Sequence, residues 1–243
     1  MLSFLLNAIK IIFLLGFLVL IHEGGHFIVA KLCKVKVNEF AIGFGPTILS
    51  KTKGGTKYAL HLIPLGGFVS MEGEEERSDV EGSFSNASVL KRIAIVFAGG
   101  AVNIIFGLLL YFILISSLTD LHYGFINTGN FIVAIFNSLK EIFTGNINVN
   151  QMAGIVGISD IVIKTSGIYE YIYMLAIISL SLGITNLLPF PPLDGGKILI
   201  YVIEAVRKKP MKEKIEIQLQ ILGFAVLIVL SIYVTYNDIL RII

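Results

Sequence analysis

The sequence predicts an all-α polytopic membrane protein with four transmembrane helices, and three observations support this prediction. The chain has 243 residues, of which 55% are apolar and only 15% are charged, whereas a soluble domain carries about 25% charged residues. Its mean hydropathy is +0.84. Four stretches are long and apolar enough to cross a bilayer, which takes about 20 helical residues. A water-soluble globular domain is therefore excluded.

The four predicted spans cover approximately residues 2–30, 93–118, 171–188 and 217–236. In the first span, only Ser3, Asn7 and Lys10 interrupt the apolar stretch that precedes His22. No small-x-small cleavage site follows it, so we expect a retained helix instead of a secretory signal peptide. The apolar centres of the other three spans carry no charged residue.

Lysine and arginine set the expected orientation, because basic loops resist translocation. The connection 31–92 carries nine of the 19 basic residues, the connection 189–216 carries six, and the connection 119–170 carries two. We therefore expect the first and third connections in the cytoplasm and both termini outside. The net charge of +2 gives no electrostatic footprint for nucleic acid, so no such partner is expected.

A β-hairpin is predicted in the cytoplasmic connection 31–92. Two β-prone runs, 58–63 and 68–71, flank the turn signal Pro64-Leu65-Gly66-Gly67. Because the hairpin is so apolar, we expect it to associate with the membrane beside the helices. Its edge, which includes Phe68 and Val69, is expected to offer main-chain groups to an unwound substrate. The alternative is a hairpin that only plugs the helix bundle. Residues 72–81, the acidic loop, hold six carboxylates and read as a solvated loop.

The outer connection 119–170 contains one amphipathic element. Its apolar residues fall on one helical stripe opposite Asn137, Lys140 and Glu141. The stripe consists of Ile132, Ile135, Phe136, Leu139, Ile142 and Phe143. This pattern predicts a helix on the outer membrane surface before the third span. A helix that caps the bundle is the alternative.

The motif His22-Glu23-Gly24-Gly25-His26 ends the first apolar stretch. Two histidines four residues apart on a helix can reach one metal ion, and Glu23 beside the first can contact a water on that ion. A carboxylate in hydrocarbon costs roughly 3 kcal/mol unless it is paired or wet. A function must offset that cost, although a polar cluster that reaches toward the headgroups remains the alternative.

A third metal ligand is expected downstream, because zinc normally takes at least three protein ligands. The segment 186–196 contains three prolines that break the third span at the cytoplasmic boundary, on the side assigned to His26. Asp194 lies in this irregular stretch before two glycines and can face the histidine pair. Its alternative role is the N-cap of the following helix.

Together these two segments resemble the site-2 protease family of intramembrane zinc metalloproteases, most closely the bacterial branch typified by the regulator of sigma E protease. Gly43-Phe44-Gly45-Pro46 and Ile63-Pro64-Leu65-Gly66-Gly67-Phe68-Val69 also resemble that branch. Members of the branch carry PDZ domains between the second and third spans, and this chain has no room for one. We therefore expect a single metalloprotease domain over residues 1–243.

The resemblance implies that His22, His26 and Asp194 ligate Zn²⁺, that Glu23 is the general base, and that Asn186 handles the substrate backbone. A helix–helix hydrogen bond is the alternative role of Asn186. The implied function is cleavage of single-span membrane proteins, such as anti-sigma factors or signal-peptide remnants, in the bacterial cell membrane, with the active site toward the cytoplasm. Two alternatives remain: a membrane-anchored zinc protease that acts on soluble or misfolded chains at the cytoplasmic face, and a zinc-binding transporter or non-catalytic scaffold.

Overall fold

The computed structural model describes residues 2–144, 153–165 and 167–242. Seven helices and two strands follow one another in this described part of the chain. In order they are α1 (Leu2–Leu32), β1 (Val37–Lys53), β2 (Thr56–Met71), α2 (Val89–Leu118), α3 (Leu121–Thr144), α4 (Ile155–Lys164), α5 (Ile168–Asn186), α6 (Asp194–Arg207) and α7 (Glu213–Ile242).

The four predicted spans are confirmed as helices long and apolar enough to cross a membrane. They correspond to Leu5–Leu32, Val89–Leu118, Ile168–Asn186 and Glu213–Arg241. A helix suits this environment because it satisfies every backbone polar group within its own segment. Many large apolar side chains of α1, α2 and α7 are exposed on the protein surface, as expected where lipid replaces water. The chain is therefore a multi-pass membrane protein.

The two strands form an antiparallel sheet whose arrangement differs from the predicted hairpin. The turn lies at Gly54-Gly55, and Lys53 pairs with Thr56 across it. Runs 58–63 and 68–71 do not pair with each other. Both pair with β1, so that Phe40 has Tyr58 on one side and Val69 on the other. The expectation that Pro64–Gly67 closes the hairpin is therefore wrong.

Backbone conformation explains where the chain turns. Gly54 and Gly55 have φ values of 58° and 77°, a region that side chains other than glycine rarely adopt and that two-residue hairpin turns require. Gly66, with φ of 106°, bends the chain between the two paired runs of β2. Glycines allow a turn at Gly54-Gly55 and at Gly66-Gly67, but only Gly54-Gly55 closes a hairpin.

The acidic loop is well anchored at its base. The Glu72 carboxylate accepts hydrogen bonds from Ser78 Oγ at 2.7 Å and Asn38 Nδ2 at 3.1 Å. These donors, together with Lys36, hold the pKa of Glu72 below its ordinary value. The Phe84 N–H donates to the Glu72 carbonyl at 2.7 Å. Residues 72–84 are thus a folded loop and not only a solvated charge run.

By its internal contacts the chain separates into two compact units. One comprises the chain up to Ile104 with Ser181–Phe224, and the other comprises Ile105–Leu180 with the chain from Ala225. All seven predicted site residues belong to the first unit. Its core combines side chains from α1, β1, β2, α2, α6 and the connections next to them: Ala30, Val35, Val37, Met71, Phe84, Ile95, Val96, Ile200, Tyr201 and Met211.

In the second unit, α3 runs back along the second half of α2. The Phe112 and Phe125 rings lie 4.8 Å apart, and those of Tyr111 and Phe131 lie 4.4 Å apart. The helix begins at Leu121, earlier than the predicted stripe. Phe136 of that stripe is 66% exposed, whereas the side chains of Leu139, Ile142 and Phe143 fall outside the described part. The location of this helix at the membrane surface stays a prediction.

Helix α4 was not predicted from the sequence. It begins after Gly154, and the Asp238 carboxylate of α7 accepts hydrogen bonds from the backbone N–H groups of Gly154 and Gly157, both at 2.9 Å. The carboxylate thus satisfies two donors that the first turn of a helix leaves without intrahelical partners.

Candidate metal centre

Helix α1 carries the two histidines on one face, one turn apart. His22 and His26 are both buried, and their ring centroids are 4.8 Å apart. The two Nε2 atoms face each other at 3.2 Å. Two nitrogen atoms at this distance form an unusual pair unless a proton or a cation lies between them.

The orientation of His26 is fixed by a hydrogen bond to α2. Its Nδ1 lies 2.8 Å from the Ile95 carbonyl oxygen. Because a carbonyl only accepts, Nδ1 carries the proton and Nε2 keeps its lone pair. Metal-binding histidines commonly donate their other ring N–H in this way.

Asp194 completes the cluster from the other end of the sequence. Its Oδ2 atom lies 3.1 Å from Nε2 of His22 and 3.3 Å from Nε2 of His26. Burial alone would raise the pKa of Asp194, but the two neighbouring imidazoles outweigh burial and hold the pKa below its ordinary value. The side chain is therefore an anionic oxygen donor.

The alternative role of Asp194 as an N-cap is wrong. Leu193 occupies the N-cap position of α6, where no side chain caps the helix, and Asp194 is the first helical residue. The preceding segment turns tightly, with the Leu193 N–H bonded to the Phe190 carbonyl at 2.9 Å. A Cβ atom at Gly196 would lie 2.6 Å from the Pro191 nitrogen, so this glycine allows the segment to fold against the start of α6.

Two glycines bring α1 and α2 close together at the centre. A Cβ atom at Gly25 would lie 2.6 Å from the Ala98 carbonyl oxygen. One at Gly99 would overlap the His26 ring and lie 2.9 Å from Cε1 of His22. The backbone of α2 therefore forms one wall of the histidine pair.

The three donor atoms fit a zinc ion. Ligand atoms about 2.0–2.1 Å from a tetrahedral zinc lie roughly 3.3–3.4 Å from one another, and the three separations here are 3.1, 3.2 and 3.3 Å. Two imidazole nitrogens and one carboxylate oxygen are also ligand types that zinc accepts. Within the described residues, this is the group of histidine and carboxylate side chains that can hold a metal ion.

A cavity of about 370 Å³ opens onto the cluster. Glu23 lines it beside the histidines, and so do Phe68 and Val69 from the last part of β2. Glu23 also lies next to the backbone of β2, since a Cβ atom at Gly67 would be 3.8 Å from Cγ of Glu23. The structure thus brings the predicted edge of the sheet and the predicted base to one cavity.

Asn186 lies elsewhere in the same unit. It is the last residue of α5 and half-buried, and it is not among the described residues that line this cavity. Its role in handling substrate stays a prediction.

Sequence reasoning missed Glu74 and Lys197. Both line the cavity, and Lys197 Nζ lies 2.8 Å from Glu74 Oε1. Burial alone would lower the pKa of Lys197, but the neighbouring Glu74 outweighs it and raises the pKa above its ordinary value. The signal for Lys197 was its position three residues after Asp194, on the same side of a helix. Nothing in the acidic loop distinguishes Glu74 from its neighbouring glutamates.

The sequence profile of peptidase family M50 matches residues 10–230. The chain is 26% identical to a "putative zinc metalloprotease" of Clostridium acetobutylicum, over 96% of this chain and 97% of that protein. It is 28% identical to a protein of the same description from Clostridium perfringens, over 92% and 95% of the two chains.

These relatives are longer than the chain. The alignment with the Clostridium acetobutylicum protein runs over 329 positions, whereas this chain has 243 residues. The relative therefore carries residues that this chain lacks.

Proposed function

Because the chain belongs to peptidase family M50, the site-2 protease family, and is a membrane zinc metalloendopeptidase, we propose that it cleaves the transmembrane segments of single-span membrane proteins. Candidate substrates are anti-sigma factors and signal-peptide remnants. The observation that supports this proposal best is the convergence of His22, His26 and Asp194 at 3.1–3.3 Å in a chain whose described residues include four helices long and apolar enough to cross a membrane.

In the proposed centre, His22, His26 and Asp194 hold zinc. A zinc ion held by these three side chains would lower the pKa of a bound water and polarise the scissile carbonyl. The two histidines are buried and His26 is held by Ile95, so little reorganisation is needed to present their Nε2 atoms. Gly99 closes the side of the centre that faces α2.

Glu23 is the proposed general base. It directly follows His22 and lies three residues before His26 in α1, and it lines the cavity beside both histidines. Its carboxylate accepts the proton of the attacking water and then donates it to the leaving amine. Glu23 is the one acidic residue between His22 and His26 in the sequence.

The edge of the sheet is the proposed substrate-binding element. A helical substrate must unwind before cleavage, because its carbonyl groups are already hydrogen-bonded within the helix. Residues 67–71 pair with β1 along one side, and Phe68, Val69, Ser70 and Met71 line the cavity. An unwound segment that adds to this run as a further strand gains main-chain hydrogen bonds with little sequence demand.

The proposed orientation places the active site toward the cytoplasm and both termini outside. It rests on the basic residues of the connections 31–92 and 189–216, compared with the two in 119–170. The sheet and the acidic loop then lie on the cytoplasmic side, where the cavity opens beside Glu74 and Glu75.

The test compares the wild type with Glu23→Gln, each purified in detergent, for zinc content and for cleavage of a panel of single-span peptides. We expect equal zinc in both proteins and cleavage by the wild type only, since glutamine keeps the shape of the side chain but cannot accept the proton. Glu76→Gln, in the exposed part of the acidic loop, is the matched control and should cleave normally.

Cleavage by Glu23→Gln at the wild-type rate would refute the assigned base. Cleavage of unfolded soluble chains, with every single-span peptide left intact, would favour the alternative of a membrane-anchored protease that acts at the cytoplasmic face.

A further inference from the structure

The ion pair between Glu74 and Lys197 joins two elements of the proposed site. Strand β2 ends at Met71, and the Glu74 N–H bonds back to the Met71 carbonyl at 3.3 Å. Glu74 therefore follows the substrate-binding edge by a single turn of chain. Lys197 lies three residues after Asp194, on the buried side of α6. The pair thus links the chain that leaves the edge to the helix that begins with a metal ligand.

This pair is better shielded than an ordinary surface ion pair. The Lys197 side chain is 28% exposed and that of Glu74 is 16% exposed, with 2.8 Å between their charged atoms. Ion pairs at fully exposed sites contribute little, because water and salt screen them. A short pair in a partly desolvated place is a stronger constraint on the two elements that it joins.

The acidic loop contacts α6 and the turn after it at two points. Besides the Glu74–Lys197 pair, Arg77 donates a hydrogen bond from Nη2 to the Met211 carbonyl at 2.7 Å. Met211 is in turn held by its N–H to Glu204 of α6 at 2.6 Å. The acidic loop is therefore anchored at its first residue, Glu72, and again at Glu74 and Arg77.

The pair also stands between two cavities. Glu74, Glu75 and Lys197 line both the 370 Å³ cavity at the metal centre and a neighbouring polar cavity of about 690 Å³. The larger cavity is bounded by charged side chains of α2, α6 and the acidic loop, including Arg92 and Glu204, which are paired at 2.9 Å. With open space on both sides, packing alone does not hold the loop at this point.

We propose that the Glu74–Lys197 ion pair is a positioning contact, which sets the spacing between a substrate bound along residues 67–71 and the metal centre at Asp194. This inference rests on the proposed function. Neither side chain needs to touch the substrate, since the pair acts through the strand and the helix that it joins. Loss of the pair should leave substrate binding and zinc in place, but should misalign the scissile bond.

The test is a double-mutant cycle with Glu74→Ala, Lys197→Ala and the double variant, measured for zinc content, kcat and KM. We expect zinc content and KM close to the wild type and kcat lower by about tenfold or more in each single variant, because a misplacement of about 1 Å can cost roughly 100-fold. The double variant should be no slower than either single variant. Lys197→Arg, which keeps the charge, should restore the rate, and Glu76→Ala is the matched control in the same loop.

A second measurement needs neither substrate nor zinc. Trypsin cleavage after Arg77 reports on opening of the acidic loop, and we expect it to be several-fold faster in Lys197→Ala than in the wild type or in Lys197→Arg, since local opening controls cleavage. Equal trypsin rates in all variants would show that the pair does not hold the loop.

The outcomes separate this inference from the proposed function. Failure of the wild type to cleave any single-span peptide refutes the proposed function and, with it, the positioning role, even if trypsin shows that the pair closes the loop. A different result refutes the positioning contact alone. In that result the wild type cleaves a single-span peptide, and the losses of rate in the two single variants multiply in the double variant.

Discussion

Gly99 leaves no room for a side chain beside the two imidazoles. A Cβ atom there would overlap the ring of His26 and press on His22 at 2.9 Å. Both rings are also confined by the Ile95 carbonyl and by Asp194, so they cannot move away freely. The position of α2 is thus a determinant of the metal centre, although none of its residues belongs to the proposed ligand set.

Gly99→Ala is therefore expected to weaken zinc binding by about tenfold or more, which is the usual effect of disturbing the groups that support a metal ligand. The measurement is a zinc titration against a competing chelator. Gly24→Ala is the matched control, because a Cβ atom at Gly24 meets nothing within 4 Å. Equal zinc affinities of the wild type, Gly99→Ala and Gly24→Ala would contradict the role of Gly99 in confining the two histidines.

At this scale the sequence indicated which three side chains the structure brings together, but it did not indicate their surroundings. His22, Glu23 and His26 lie about one helical turn apart at the end of an apolar stretch, and this combination indicated a metal. Asp194 then followed from the need for a third ligand on the same side of the membrane. Lys197 and Glu74 form their ion pair across 123 positions of sequence. A pair so distant in the chain leaves no periodic pattern, and only the folded loop brings it together.

Among the elements, the sheet differs most from its sequence prediction. Residues 37–53 form β1, which was not predicted, because the turn signal at Pro64–Gly67 indicated a hairpin within residues 58–71 and left residues 37–53 outside it. The edge at Phe68 and Val69 nevertheless lies where the proposal needs it, beside the cavity. Strand β1 pairs with residues 67–71 along the side that the first run of β2 leaves free, and this pairing holds residues 67–71 beside the cavity.

Val69→Pro tests the role of this edge. Proline has no N–H group and fixes φ, so it weakens strand pairing at that position. We expect kcat/KM for a single-span peptide to fall by about tenfold, roughly the loss of one main-chain hydrogen bond, while zinc content and thermal unfolding remain close to the wild type. Val69→Ala, which retains the N–H, is the control. Unchanged turnover in Val69→Pro would favour a sheet that only plugs the bundle.

The outer helices show why amphipathic patterns do not settle location. The stripe at 132–143 predicted a helix, and α3 indeed covers it, yet its first half packs along α2 through Phe125 and Phe131. An apolar stripe faces lipid or protein equally well, so periodicity could not choose between them. Helix α4 depends on Asp238, 84 positions away from Gly154, which local sequence cannot reveal.

For the whole molecule, composition predicted most of the architecture. Each of the four apolar stretches became a long helix, because a chain in lipid must satisfy its backbone within the helix. The helix ends were less certain: α7 runs from Glu213 to Ile242, beyond the predicted 217–236. Charged residues at both its ends extend past the hydrocarbon, where hydropathy no longer marks the boundary.

X-ray absorption at the zinc K-edge of the purified wild-type protein tests the central claim most directly. The account predicts one zinc per chain, with two imidazole nitrogens and oxygen ligands at about 2.0–2.1 Å, and loss of this signal in Asp194→Ala. A sulfur ligand from Cys33, or an unchanged spectrum in Asp194→Ala, would contradict it.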